Sequence, residues 1–129
     1  MPPIRTLIVD DSREFRNSFK RFLSRFAELE VVGLANNGIE ALHQVKELSP
    51  DLVLMDLVMP EMNGLEATRQ IKSHSKTTCV FILTLHDSDE YRVAAMESGA
   101  DYCINKAELN TKIGALIRNH FSHKLDKVS

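Results

Sequence analysis

Five side chains in this sequence are of the right types to share one piece of chemistry: the carboxylates of Asp10, Asp11 and Asp56, the hydroxyl of Thr84 and the ammonium of Lys106. Each stands at or beside the end of a short apolar run, so the same geometry that ends the runs would gather them. Three carboxylates on one rim repel one another, and burial raises their pKa values unless a cation is present. Hard oxygen donors that leave room for water suit Mg²⁺ or Mn²⁺, which keeps several waters and takes one or two carboxylates. A carboxylate held beside such an ion, with a lysine and a hydroxyl nearby, meets the needs of phosphoryl transfer. The cations neutralise charge on the phosphoryl oxygens, and the carboxylate is the nucleophile. Neither GxxxxGK[ST] nor GxGxxG occurs, so nothing supports a nucleotide cradle. These residues point to an acyl phosphate formed without ATP.

The elements that must position them alternate between two hydrophobic periods. Arg5–Asp10, Leu29–Ala35, Asp51–Leu57, Thr78–Leu85 and Tyr102–Asn105 read as strands, and Asp51–Leu57 is apolar enough to be covered on both faces. Ser12–Ala27 carries Phe15, Phe19, Phe22, Leu23 and Phe26 at helical spacing, with Ser12 placed as the N-cap. Asn37–Leu48, Leu65–Ser73, Ser88–Glu97 and Glu108–Phe121 predict four more helices, the fourth of the five closed by Gly99. Five β–α units with short connections indicate a doubly wound α/β fold, a parallel sheet with helices on both faces. In such sheets ligands bind beyond the carboxyl ends of the strands, where the strand order switches.

Composition sets the outer bounds. The 129 residues suit one domain, since single cores occupy about 100–200 residues. Hydrophobic residues make up 43% and charged residues 26%, which excludes a fibrous or disordered chain. A net charge of −2 leaves no electrostatic footprint for non-specific nucleic-acid binding. No apolar run approaches the roughly 18 residues of a membrane span, and the start lacks a secretory h-region. Cys79 and Cys103 fall in apolar segments rather than in paired metal spacing, which fits a reduced, cytoplasmic setting. His43, His74, His120 and His123 form no metal-like cluster with neighbouring carboxylates in the sequence.

From about Ile4 to Phe121 the chain resembles a receiver domain of bacterial two-component response regulators, of the single-domain chemotaxis type. The resemblance rests on Ile8-Val9-Asp10-Asp11-Ser12, on Leu54-Met55-Asp56-Leu57-Val58-Met59-Pro60-Glu61-Met62-Asn63-Gly64, on Thr84, and on Gly99-Ala100-Asp101 leading to Lys106. It implies a flavodoxin-like, five-stranded sheet of order 2-1-3-4-5 with five helices, a receiver over residues 4–121, a tail over 122–129 and no output domain. It also implies that Asp56 accepts a phosphoryl group from the phosphohistidine of a sensor histidine kinase or histidine phosphotransfer protein. Asp11, Asp56 and the Val58 carbonyl would bind Mg²⁺ (or Mn²⁺), with Asp10 acting mainly through water. Lys106 would pair with Asp56 and then with the phosphoryl group, Thr84 would swing to that group, and Gly64 would serve the turn after the acceptor loop. Such a chain is no enzyme toward outside substrates; it catalyses only its own phosphorylation and dephosphorylation. It relays the change to a protein target, as a monomer or phosphorylation-dependent dimer, without direct contact to nucleic acid or membrane.

Three departures from the family pattern stand out. The usual aromatic switch position is Cys103, with Tyr102 one residue earlier, and in a strand a one-residue offset points a side chain to the opposite face. Ala107 follows Lys106 where proline is common, which predicts a trans bond or a rearranged loop, since a non-proline cis bond costs about 2.5–4 kcal/mol. Leu85 stands where a small residue is usual and would narrow access to Asp56. Val58 and His86 occupy the positions that tune phosphoryl lifetime; Val58 cannot hold a water, and His86 either orients one or sits exposed. Two other readings stay open: an interaction module that keeps the site as a relic, and the sensory half of a longer transcription regulator.

Overall fold

The computed structural model describes residues 2–59, 61–85 and 88–122. Five strands, β1 (Ile4–Val9), β2 (Leu29–Ala35), β3 (Leu52–Asp56), β4 (Cys79–Thr84) and β5 (Tyr102–Asn105), alternate with five helices. These are α1 (Arg13–Leu23), α2 (Gly38–Leu48), α3 (Gly64–His74), α4 (Asp89–Glu97) and α5 (Leu109–His120). All strand pairs are parallel, in the order β2-β1-β3-β4-β5. The chain runs outward from β1 to β2 and then returns to lay β3 on the other side of β1. The order therefore reverses between β1 and β3, where a crevice opens at the carboxyl ends.

Strand alternation sends side chains into two cores. Ile4, Ile8, Leu52, Leu54, Phe81, Leu83 and Ile104 pack beneath α1 and α5, against Phe19, Leu23, Leu109, Ile113 and Ile117. Leu7, Val9, Val53, Met55, Val80 and Ile82 pack beneath α2, α3 and α4, against Ala41, Ala67, Ile71 and Ala95. Each fully buried Leu, Ile, Val or Phe contributes about 1.5–3 kcal/mol, which is why the central strands tolerate so little polarity.

Polar residues set the helix starts. Ser12, Asn37, Asn63 and Ser88 each accept a hydrogen bond from the backbone N–H three residues on, satisfying donors that the first turn leaves free. Gly99, with φ of 103°, ends α4 in the left-handed region that favours glycine. One expected boundary moves by more than a residue: α1 stops at Leu23, not Ala27. The Ser24 hydroxyl bonds the Arg21 carbonyl, and Arg25 and Phe26 make three-residue turns back to Phe22 and Leu23 before β2 begins. Phe26 still reaches the core from that turn.

Candidate functional site

Asp10 follows the last residue of β1, Asp56 ends β3, Thr84 ends β4, and Lys106 follows β5. The parallel register puts these ends on one rim: Val9 lies beside Met55, Asp56 beside Leu83, and Thr84 beside Asn105. Together with Asp11, Ser12, Leu57, Val58 and Leu85 they line a cleft of about 260 Å³. Ligand oxygens of Asp10, Asp11 and Asp56 all lie within 4.8 Å of one another. Asp10 and Asp56 are buried and Asp11 is exposed, so the cluster opens to solvent at one carboxylate.

Lys106 holds the buried acids together. Its Nζ donates to Asp10 Oδ2 at 2.7 Å and lies 3.2 Å from Asp56 Oδ1. Asp10 Oδ1 accepts the Ser12 N–H at 2.8 Å, so both its oxygens are engaged. Burial first, then the charge of Asp10, pushes Asp56 up to about 6; Lys106 opposes that rise, and Asp11 adds a smaller push. Burial alone would lower Lys106, but its hydrogen bond to Asp10 and the charges of Asp56 and Asp10 outweigh this and hold it above its ordinary value.

The loop after β3 needs glycine at one point. The Gly64 N–H donates to the Leu57 carbonyl at 2.8 Å, and a Cβ on Gly64 would overlap the Asp56 carbonyl oxygen. The loop can fold this tightly against the end of β3 only without a side chain there.

The other predicted positions separate by face. Thr84 is buried on the rim, and Val58 and Leu85 are exposed at the cleft mouth, Leu85 at 73%. Cys103 packs into the α2–α4 core, whereas Tyr102 packs into the α1/α5 core with its ring edge-on to Phe81 and 6.0 Å from His120. Phe81 is the β4 partner of Tyr102, and Thr84 stands three residues further on. Alternation therefore puts Thr84 and Tyr102 on opposite faces. No cis peptide occurs among the described residues, and Lys106–Glu108 forms a 3₁₀ turn whose Ala107 N–H is capped by Asn105 Oδ1 at 2.9 Å. His86, and with it the expectation for its role, lies outside the described residues, as do Pro60 and His123.

Sequence reasoning missed three features. Phe15 is more than core: Lys106 Nζ sits 4.3 Å from its ring centroid, a cation–π contact that screens the ammonium from water. Arg16, in the first turn of α1, also reaches the rim: it donates to the Asp10 carbonyl at 2.6 Å and to Asn36 at 3.0 Å. The expectation that no histidine joins a metal-like cluster is corrected, because donor atoms of Cys79, Asp101 and His120 lie within 4.8 Å of one another. They come from three distant stretches of chain, so no local spacing announces them.

Comparison with known proteins agrees with this geometry. A family model described as the response regulator receiver domain matches residues 6–118. The chain is 36% identical over 122 residues to the response regulator protein VraR of Staphylococcus saprophyticus, covering 95% of this chain and 58% of that protein. It is 42% identical over 105 residues to a protein-glutamate methylesterase/protein-glutamine glutaminase of Myxococcus xanthus, covering 81% of this chain and 30% of that one. The chain thus spans less than two thirds of these curated relatives. Among solved structures, the response regulator domain of Thermotoga maritima CheB aligns with a TM-score of 0.83 at 30% identity, over 91% of this chain and 95% of that one. A LuxR-family two-component response regulator from Aurantimonas gives 0.88 at 29%, over 94% and 86%. No helix among the described residues is long and apolar enough to cross a membrane. On the match across most of its length, the chain belongs to the response regulator receiver domain family of two-component signalling.

Proposed function

We propose that this receiver takes a phosphoryl group onto Asp56 from the phosphohistidine of a sensor histidine kinase or histidine phosphotransfer protein. The observation that carries the reading is the placement of Asp56: a buried carboxylate at the β3 end, facing a cleft shared with two further acids and one ammonium. An Asp56 oxygen attacks phosphorus, the bond from phosphorus to the imidazole nitrogen breaks, and the acyl phosphate remains on the chain.

The donor set suits a hard divalent cation. Three carboxylates within 4.8 Å, two of them buried, carry more negative charge than Lys106 alone offsets. Asp11, Asp56 and the Val58 carbonyl would hold Mg²⁺ or Mn²⁺, with Asp10 reached through water because both its oxygens already accept hydrogen bonds. When bound, such an ion supplies charge neutralisation on the transferring phosphoryl oxygens. Lys106 supplies the second positive charge and keeps Asp10 and Asp56 from repelling one another. Thr84, on the rim beside Asp56, donates its hydroxyl to the phosphoryl group and carries the change toward α4. Output passes through a protein-binding surface in the cytoplasm.

Incubation with a small-molecule phosphodonor and Mg²⁺, followed by intact-mass measurement, tests this. The parent chain gains one phosphoryl mass and Asp56→Asn gains none. No gain in the parent chain defeats the reading.

A further inference from the structure

At the opposite end of the sheet from the acidic rim, three different metal donors converge. Cys79 opens β4, Asp101 precedes β5, and His120 is the last residue of α5. Their Sγ, carboxylate oxygen and imidazole nitrogen lie within 4.8 Å of one another. The set is unlike the acidic cluster: one soft thiolate and one imidazole accompany a single carboxylate, the combination favoured by Zn²⁺ and its analogue Co²⁺ rather than by Mg²⁺.

The surroundings are built as the outer shell of such a site. Asp101 Oδ2 is anchored by the Val80 N–H at 2.9 Å and carries the Lys72 ammonium at 2.7 Å, and the Cys79 thiol bonds the same carboxylate. The His120 ring is held edge-on by Phe81, Tyr102 and Phe121, with centroids at 6.1, 6.0 and 4.9 Å. His120 also stands in the last turn of α5, where the helix dipole favours a cation. Cys79 is buried while Asp101 and His120 are partly exposed, so an ion enters from their side. Tetrahedral Zn²⁺ bonds of about 2.0–2.3 Å bring donors to within about 3.3–3.8 Å of each other. Small side-chain rotations supply the difference.

We infer that Cys79, Asp101 and His120 form a Zn²⁺-type transition-metal site with three protein ligands and a fourth position open to water. Binding exchanges one proton for the ion: the Cys79 S–H bond breaks, an S–metal bond forms, and the proton leaves to buffer. Lys72 is the resident cation on the shared carboxylate, so it competes with the metal. The ion joins the end of α5 to the starts of β4 and β5, elements that also carry Thr84 and Lys106 at their other ends. This inference is independent of phosphorylation at Asp56.

Co²⁺ titration of the whole chain, with Mg²⁺ in excess to occupy the acidic rim, reads the site directly. A thiolate-to-cobalt charge-transfer band appears only where a cysteine ligates, so carboxylate binding cannot imitate it. The band is expected in the parent chain and in Cys103→Ser, and is lost in Cys79→Ser. His120→Ala and Asp101→Asn weaken Co²⁺ binding about tenfold or more, and Lys72→Met, which removes the competing cation but keeps the aliphatic stem, tightens it. Zn²⁺ displaces the cobalt signal. The site is refuted if the band is absent, survives Cys79→Ser, or is indifferent to both His120→Ala and Asp101→Asn. Circular dichroism of each variant identifies any that fails to fold, and the Lys72→Met arm reads the site with all three ligands intact.

Discussion

The Lys106 ammonium sits closer to Asp10, at 2.7 Å, than to Asp56, at 3.2 Å. The lysine of this site is therefore first a structural partner for a fully buried acid. Lys106→Met leaves the Asp10 carboxyl, 1% exposed, without the ion pair it makes among the described residues. A buried pair broken on one side costs about 3–5 kcal/mol, whereas removing both sides costs much less. Urea melts should show that loss in Lys106→Met and recovery of most of it in Asp10→Asn/Lys106→Met. Additive losses would contradict the pairing.

Asp56 gives a pH signature with a definite sign. Its carboxyl is raised from the ordinary value of 3.8 to about 6, chiefly by burial. The native state therefore holds this proton more tightly than the unfolded chain, and the contribution is full below about pH 4 and lost as pH rises through 6. Without divalent metal, Asp56→Asn should exceed the parent chain in stability at pH 7.5 by on the order of 2 kcal/mol. The gap should close between pH 6 and 4. Thermal melts across that range check it, and a gap independent of pH would remove Asp56 as its source.

Mg²⁺ should raise the melting temperature, because a ligand that binds only the native state stabilises it by about 2.7 kcal/mol at a hundredfold excess over Kd. Asp11 is the exposed member of the cluster, so Asp11→Asn should leave the metal-free stability nearly unchanged. The same substitution should remove most of the Mg²⁺ response.

Much of this rim was legible because its residues end strands, and strands announce themselves by apolar runs. Tyr102–Asn105 was placed to the residue, since Gly99 before it and the polar turn after it leave no other boundary. The end of α1 was not legible: Phe26 continues the helical stripe, yet it reaches the same core from a turn. Contacts between distant stretches stayed hidden for the same reason. Nothing local to Phe15 or Lys106 says that one will lie over the other, and nothing local joins Cys79 to His120.

Gly64→Ala should cost about 1–3 kcal/mol, since the added methyl meets backbone at Asp56 and cannot be absorbed by a rotating side chain. It should also slow phosphoryl uptake by displacing the acceptor. Urea midpoints and mass-resolved phosphorylation check the two effects separately.

Tyr102 should be indifferent to events at Thr84. The chain has two tyrosines, so Tyr91→Phe leaves Tyr102 as the only reporter. With 3-fluorotyrosine incorporated, its ¹⁹F resonance should stay put when beryllofluoride and Mg²⁺ are added, while amide resonances near Thr84 move. A large shift at Tyr102 would show that the ring is coupled after all.

The alternation along β4 makes the sheet a partition. Cys79, Phe81 and Leu83 belong to the half of the molecule under α1 and α5, and Val80 and Ile82 to the half under α2, α3 and α4. Backbone, not packed side chains, separates them. Substitutions that reshape one half, such as a new docking surface on α1, need not repack the other. Partner choice and internal response can therefore drift apart over sequence change, with the strand ends as their one common boundary.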